Sequence, residues 1–162
     1  MQRSHSAQLE ILRAKIANMG LYAQKAWGLV LQALIEKRLD LFDEVFELEK
    51  QINEWHKQLD EGAVVYLAQN GPVAKDLRAV ISLVKINTDL ERMGDQCVNM
   101  AYIGKDSLKK KLDLNIPAIR TMFSIVQDMI EKSLDSFIKH DSALAQKVLL
   151  MDDEVDDLKS KV

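Results

Sequence analysis

The feature that most constrains the fold of this chain is the spacing of its apolar residues, which recur at alternating steps of three and four. This spacing puts them along one side of an α-helix and is typical of helices that pack against helices. It predicts a first helix over residues 5–38 and a second over residues 41–69. Asn70-Gly71-Pro72 is a strong helix stop, and Pro72 is placed to open a third helix. Three long helices with short connections predict an antiparallel three-helix bundle.

The third predicted helix has two sides of different character. One side is expected to be buried and consists of Ala79, Leu83, Ile86, Leu90, Met93 and Cys97. The opposite side starts with apolar residues and then becomes polar, in the order Leu77, Val80, Ile81, Val84, Thr88, Glu91, Asp95 and Asn99. Glu91 and Asp95 are four residues apart, so their carboxylates are neighbours on the helix surface. Such a pair costs roughly 0.2–0.5 kcal/mol unless a cation lies between the two charges.

An internal repeat relates the two halves of the chain. A shift of 103 residues superposes apolar positions without gaps, for example Val45 on Val148, and the break between the first two helices is matched as well. The polar sequence after Gly104 predicts an exposed connection, and a new helix is predicted near Asp113 or Asn115 with Pro117 in its first turn. We therefore expect one three-helix unit over residues 1–105 and two helices of a second unit over residues 112–162.

Composition and charge narrow the classes of function. With 48% hydrophobic and 29% charged residues but only two prolines, the chain suits long helices and argues against an all-β fold. A formal net charge of −3 provides no field that would recruit nucleic acid. No apolar run approaches the ~20 residues needed to span a bilayer, and the N-terminal residues lack the apolar core of a secretory signal. We expect a cytoplasmic protein without direct membrane insertion, in which the single Cys97 is buried.

The repeat also matches a second set of polar positions. Glu49 and Asn53 correspond to Asp152 and Asp156, and each pair is again four residues apart beside the core stripe. Carboxylates at this spacing on adjacent helices offer several oxygen ligands to one cation, as iron, manganese, magnesium or calcium sites require. A solvated acidic helix face is the alternative, and the spacing alone does not decide between the two.

Two motifs point to a known family. The segment at residues 72–78, PVAKDLR, is followed by DLERMGD at residues 89–95, and both lie inside a tandem helical repeat. This combination resembles the PhoU family, the accessory regulators of bacterial phosphate uptake. The resemblance implies two similar three-helix bundles that carry metal ions, here iron, manganese or magnesium, on acidic motifs. The implied ligands are Glu91, Asp95, Glu49, Asn53, Asp152 and Asp156, with Asp76, Arg78 and Asp89 as possible supporting residues. Asn53 departs from the fully acidic pattern.

The resemblance also implies a function without catalysis. A member of this family is expected to link the ATPase of the phosphate ABC transporter to a sensor histidine kinase and to damp the phosphate-starvation response. It is expected to form a homodimer and to reach the membrane only through its partners. The second unit lacks the third helix of the family pattern, so we expect a truncated chain or one completed by another copy. Residues left partly uncovered would be Met122, Val126, Met129, Phe137 and Leu144.

Two other functions remain open on the sequence. A di-iron enzyme uses Glu-x-x-His pairs inside a helical bundle. Here Asn53 stands three residues before His56 and Phe137 three before His140, and both histidines are expected at the surface. A purely structural scaffold is the other alternative, and it predicts that neutralising Glu91 and Asp95 changes nothing.

Overall fold

The structure is a computed structural model that describes residues 2–112 and 117–160. Within these ranges it contains five α-helices and no strand, which confirms the predicted all-α class. The helices are α1 (Gln2–Glu36), α2 (Asp40–Asn70), α3 (Ala74–Lys109), α4 (Pro117–Lys139) and α5 (Ser142–Lys159). The predicted caps Asp113 and Asn115 lie outside the described residues.

The break between α1 and α2 recurs between α4 and α5. Lys37 has a left-handed φ of 54°, and the amide of Arg38 donates to the carbonyl of Ala33 at 3.1 Å. At the second break His140 also has a φ of 54°, and the amide of Asp141 likewise donates to the carbonyl five residues back, at 2.9 Å. The two breaks are related by the same shift as the sequence repeat. The first helix therefore ends at Glu36, two residues before the predicted end.

The third helix differs from its prediction at both ends. Pro72 does not open α3, because Val73 is extended, with φ −123° and ψ 159°, and the helix begins at Ala74. At the other end α3 passes the predicted unit boundary at residue 105 and ends at Lys109. Gly104 is buried against the ring of Phe42, and Ser107 is also buried, so the polar sequence still has an inward-facing residue in each turn.

Helices α1, α2 and α3 pack on one another around two clusters of buried residues, one toward each end of the bundle, and consecutive helices are antiparallel as predicted. Leu83, Leu90 and Cys97 of the predicted stripe on α3 are buried, whereas the positions that alternate with them are shifted by one residue. Val80, assigned to the outward side, is fully buried, whereas Ala79, Ile86 and Met93 are only half-buried. The fully inward positions include Asn87 and Gly94, at regular steps of three and four from Val80.

The helix pair α4–α5 joins the first three helices through α1. The indole nitrogen of Trp27 donates to the carbonyl of Phe123 at 3.1 Å, and the two rings lie 4.8 Å apart. Gly20 allows a second close contact, since a Cβ there would lie 2.1 Å from a methyl carbon of Leu134. Among the described helices α5 touches only α4, and the residues expected to be partly uncovered are half-buried, namely Met122, Val126, Met129, Phe137 and Leu144.

Candidate metal site between the second and third helices

Two polar contacts, one toward each end, fix how α2 and α3 lie against each other. Near one end, Lys105 of α3 forms an ion pair with Asp43 of α2. Near the other end, the side-chain amide of Asn87 donates to Asp60 at 2.8 Å. We call the line between these contacts the α2–α3 seam. Because α2 and α3 are both continuous helices between these two contacts, the contacts fix which residues of α2 lie opposite which residues of α3.

The two helices also approach closely between those contacts, where a Cβ on Gly94 would be 3.2 Å from a methyl carbon of Ile52. Ile52 stands between Glu49 and Asn53 on α2, and Gly94 stands between Glu91 and Asp95 on α3. The two predicted ligand pairs of the first unit therefore lie at the same level of the bundle.

The environments of these four side chains differ. Glu49, Asn53 and Glu91 are half-buried, and Asp95 is exposed. The amide of Asn53 donates a short hydrogen bond to Glu49, which ties these two side chains together along α2. The amide nitrogen is thereby turned toward Glu49, so the carbonyl oxygen is the atom that Asn53 offers to other groups.

The donor chemistry fits a hard cation, because carboxylate and amide oxygens are the ligands that magnesium, manganese and iron accept. The predicted ligand side chains do not meet at one point in this structure. Within residues 2–112 and 117–160, no three His, Cys, Asp or Glu side chains come together in a group that could hold a metal ion. The seam brings the predicted pairs to one level, and the metal assignment itself stays a prediction.

The predicted ligands of the second unit have different surroundings. Asp152 and Asp156 are both exposed on α5. In the described part of the chain, no helix faces α5 as α3 faces α2, because α5 packs on α4 alone. Any site at this pair would need ligands from outside the described helices.

The supporting residues proposed from the sequence lie on the exposed side of α3. Asp76, Arg78 and Asp89 are all exposed, and none of them forms an ion pair with another described residue. Asp76 has an indirect effect on the core. Burial raises the pKa of Tyr66, and the nearby charge of Asp76 raises it further.

A buried polar cluster was not predicted from the sequence, and it lies at the end of the α2–α3 seam that is nearer to the connection between these two helices. Asn87 is 1% exposed and donates to the backbone carbonyl of His56 at 3.1 Å as well as to Asp60. His56, expected at the surface, is half-buried, and its Nε2 lies 3.4 Å from Asp60. The Oδ1 of Asn87 and the Nδ1 of His56 are buried without a hydrogen-bond partner among the described residues. The available signal was the seven-residue spacing from Val80 to Asn87 and Gly94, which puts Asn87 in the core once Val80 is recognised as buried.

These features define a class of protein: an all-helical bundle with an internal helical repeat and an oxygen-rich seam between two of its helices. The chain belongs to the PhoU family, since the model of the PhoU domain matches residues 16–103 and 119–162.

Similar proteins agree with this assignment. The chain is 32% identical over 157 residues to a phosphate-specific transport system accessory protein PhoU homologue from Pseudomonas aeruginosa, covering 96% of this chain and 65% of the relative. It is 31% identical over 157 residues to a protein of the same description from Pseudomonas putida, covering 96% and 61%. The chain thus spans less than two thirds of the length of these two relatives.

Solved structures show the same arrangement of helices. The crystal structure of PhoU from Pseudomonas aeruginosa superposes with a TM-score of 0.93 at 32% identity, over 96% of this chain and 75% of that one. The phosphate transport system regulatory protein PhoU from Streptococcus pneumoniae has a TM-score of 0.86 over 95% and 72%, and at 24% identity it supports the fold alone.

Proposed function

We propose that this chain acts as a regulatory accessory protein of phosphate transport. Its partners are the ATPase of the phosphate ABC transporter and a sensor histidine kinase, and it damps the phosphate-starvation response when phosphate is plentiful. Membership of the PhoU family is the single observation that carries this proposal, and the relatives described as transport system accessory proteins support it. The protein works in the cytoplasm by binding other proteins and not by catalysis.

Features of the fold are compatible with such a role. The helices present long outer faces on which a partner can dock, and several large apolar side chains on them are exposed. No helix within residues 2–112 and 117–160 has both the length and the apolar content to cross a bilayer. In the proposed role, contact with the membrane comes through the transporter and the kinase.

The second part of the proposal concerns metal. Glu91 and Asp95, together with Glu49 and Asn53, bind iron, manganese or magnesium at the α2–α3 seam. Support comes from the half-buried Glu49 and Glu91 and from the shared level of the two pairs beside the Ile52–Gly94 contact. A bound cation would neutralise like charges that otherwise repel. Asp152 and Asp156 provide a second pair, completed by ligands from outside the described helices.

The partner proposal is tested by affinity purification of the native chain from cells that express the tagged transporter ATPase or the kinase. We expect both partners to be retained, and retention of neither would refute the proposal. Light scattering of the same preparation measures its mass and tests the expected homodimer.

The metal proposal is tested by the double variant E91Q/D95N, purified without chelators. We expect the wild type to carry iron, manganese or magnesium by elemental analysis and the variant to lose most of it. In metal-free protein the variant should instead be more stable by roughly 0.2–0.5 kcal/mol, because a repulsive i, i+4 pair is removed. The variant is thus expected to lose metal and to gain stability in the metal-free state. Misfolding would lower both the metal content and the stability, so it cannot produce this combination.

A matched control is available on α4. Glu131 and Asp135 have the same residue types and the same spacing as Glu91 and Asp95, but they lie away from the α2–α3 seam. The variant E131Q/D135N should leave the metal content unchanged. Equal metal content in wild type and E91Q/D95N would contradict the assignment of these ligands.

A further inference from the structure

An exposed group of aliphatic side chains lies at the end of the α2–α3 hairpin. We call it the hairpin patch, and its members are Val64, Val65, Val73, Leu77, Ile81 and Val84. Val64 is 66% exposed and Ile81 is 46% exposed. Exposed apolar residues scattered singly are ordinary, but a contiguous group of this size on one hairpin marks a binding surface.

The longest row of the hairpin patch lies on α3. Leu77, Ile81 and Val84 follow one another at steps of four and three, so they form a row of about 10 Å along α3. Val84 and the buried Ala63 of α2 line the same small gap in the core, so this row borders the side of α3 that meets α2. Val64 is the residue after Ala63 and lies one helical turn beyond Asp60, which accepts from Asn87 of α3. The row and Val64 together form a shallow apolar track.

The part of α3 that carries the apolar row has more basic than acidic side chains. Residues 74–88 contain three basic side chains, Lys75, Arg78 and Lys85, and one acidic side chain, Asp76, whereas Asp60 and Glu61 on α2 and Asp89 on α3 lie beyond the two ends of this segment. All three basic residues are exposed, and none forms an ion pair with another described residue. Arg78 and Lys85 are two turns apart on one face of α3, so they border one edge of the apolar track.

From this combination we infer that the hairpin patch binds an amphipathic helix of a partner protein. The apolar face of that helix packs on Leu77, Ile81 and Val84, and acidic residues beside this face pair with Arg78 and Lys85. An apolar row with steps of four and three along a helix matches the side-chain spacing of a docked helix. The unpaired basic border selects a negative partner, since opposite charges steer association and like charges oppose it. This inference deepens the proposed function, because it rests on docking to other proteins.

Other occupants fit less well. A second copy docking through the same patch would bring two basic borders together, which is unfavourable. An anionic lipid surface has the right sign, but it offers no row of side chains that matches the lengthwise row on α3. Both alternatives are outcomes of the experiment below.

The probes are two synthetic amphipathic helices of about 18 residues, long enough to form helix on binding. They share one leucine face, which is flanked by glutamate in the first peptide and by lysine in the second. Binding is followed by calorimetry and by amide chemical shifts of the full chain. We expect the glutamate peptide to bind with shifts centred on residues 77–85 and the lysine peptide to bind at least roughly tenfold more weakly.

Charge reversal and truncation test the two parts of the surface separately. The variant R78E/K85E should weaken the glutamate peptide roughly tenfold and strengthen the lysine peptide, a reversal that unfolding cannot mimic. The variant L77A/I81A should weaken both peptides. The matched controls K147E and L149A change an exposed lysine and an exposed leucine on α5, and they should leave binding unchanged.

Several results would overturn the inference. Equal binding of the two peptides, binding unaffected by the patch variants, or binding only to vesicles of phosphatidylcholine and phosphatidylglycerol would each do so, as would a dimer that dissociates in L77A/I81A. Failure of the proposed function is recognised separately. If the wild type and both patch variants retain the transporter ATPase equally, the patch inference fails and the adaptor role stands. If the wild type retains neither partner, the adaptor role fails, and the peptides still decide whether the patch binds helices.

Discussion

Replacement of Gly104 by alanine adds one methyl group at the tightest contact between α3 and the rest of the first bundle. A Cβ at this position would lie 2.5 Å from Cζ of Phe42 and 3.0 Å from its Cε1. It would also lie 3.0 Å from a methyl carbon of Leu34. Phe42 is fully buried, so its ring has no open space into which it can rotate.

Two effects of opposite sign determine the result. Alanine in place of glycine inside a helix stabilises by about 0.5–1 kcal/mol. Overpacking of a dense core by one methyl group destabilises by about 1–3 kcal/mol. The overpacking term is larger, so we expect G104A to lower the free energy of unfolding by about 1 kcal/mol. For a chain of this size that corresponds to a fall in Tm of about 2–4 °C.

Gly28 provides the matched control, because it lies inside α1 and a Cβ there would meet only Gln127 Oε1, at 3.7 Å. That distance is ordinary contact, so G28A should be more stable than wild type by about 0.5–1 kcal/mol. The difference between the two variants isolates the overpacking term. Chemical denaturation followed by circular dichroism at 222 nm measures both variants. A G104A variant as stable as G28A would refute the packing argument.

Three further predictions concern single residues. D141A should cost about 1 kcal/mol in urea denaturation, because Asp141 caps α5 by accepting from the amides of Ala143 and Leu144, whereas exposed D152A should cost little. N87A should cost about 1–3 kcal/mol, because two acceptors lose their donor; a neutral result in thermal melts would contradict this. Burial raises the pKa of Cys97 from 9.0 to about 12, so the unfolded thiol ionises first. Stability should therefore fall as pH rises from about 9 toward 12, and less steeply in C97A; identical pH profiles would refute this.

The helices were predictable because their apolar spacing repeats over many turns. The rotation of α3 was harder to predict, since two of its inward positions are occupied by Asn87 and Gly94. A pattern that counts only apolar residues passes over both and moves to Ala79, Ile86 and Met93. It also assigns Val80 to the wrong side. Gly94 and Asn87 are core residues because of their contacts with α2. Ile52 approaches Gly94 closely, and Asp60 accepts a hydrogen bond from Asn87.

The candidate site also combines features that the sequence predicts with features that it does not. Spacing within one helix predicts that Glu91 and Asp95 are neighbours, and the internal repeat draws attention to Glu49 and Asn53. The level at which α2 meets α3 depends on contacts between distant residues, such as Asp43 with Lys105, and no pattern within one helix contains that information. The bond between Asn53 and Glu49 was also not predicted, because it depends on the side-chain conformation that each residue adopts.

The contacts of α1 have a consequence for communication through the protein. In the described part of the chain α5 touches only α4, α4 otherwise touches only α1, and α1 in turn touches both α2 and α3. The helices are thus coupled in series. Through these packing contacts, a force applied to α5 passes from α4 to α1 before it reaches the acidic side chains of α3, so the stiffness of the α1–α4 contacts, including those of Trp27 and Gly20, affects how much of it is transmitted.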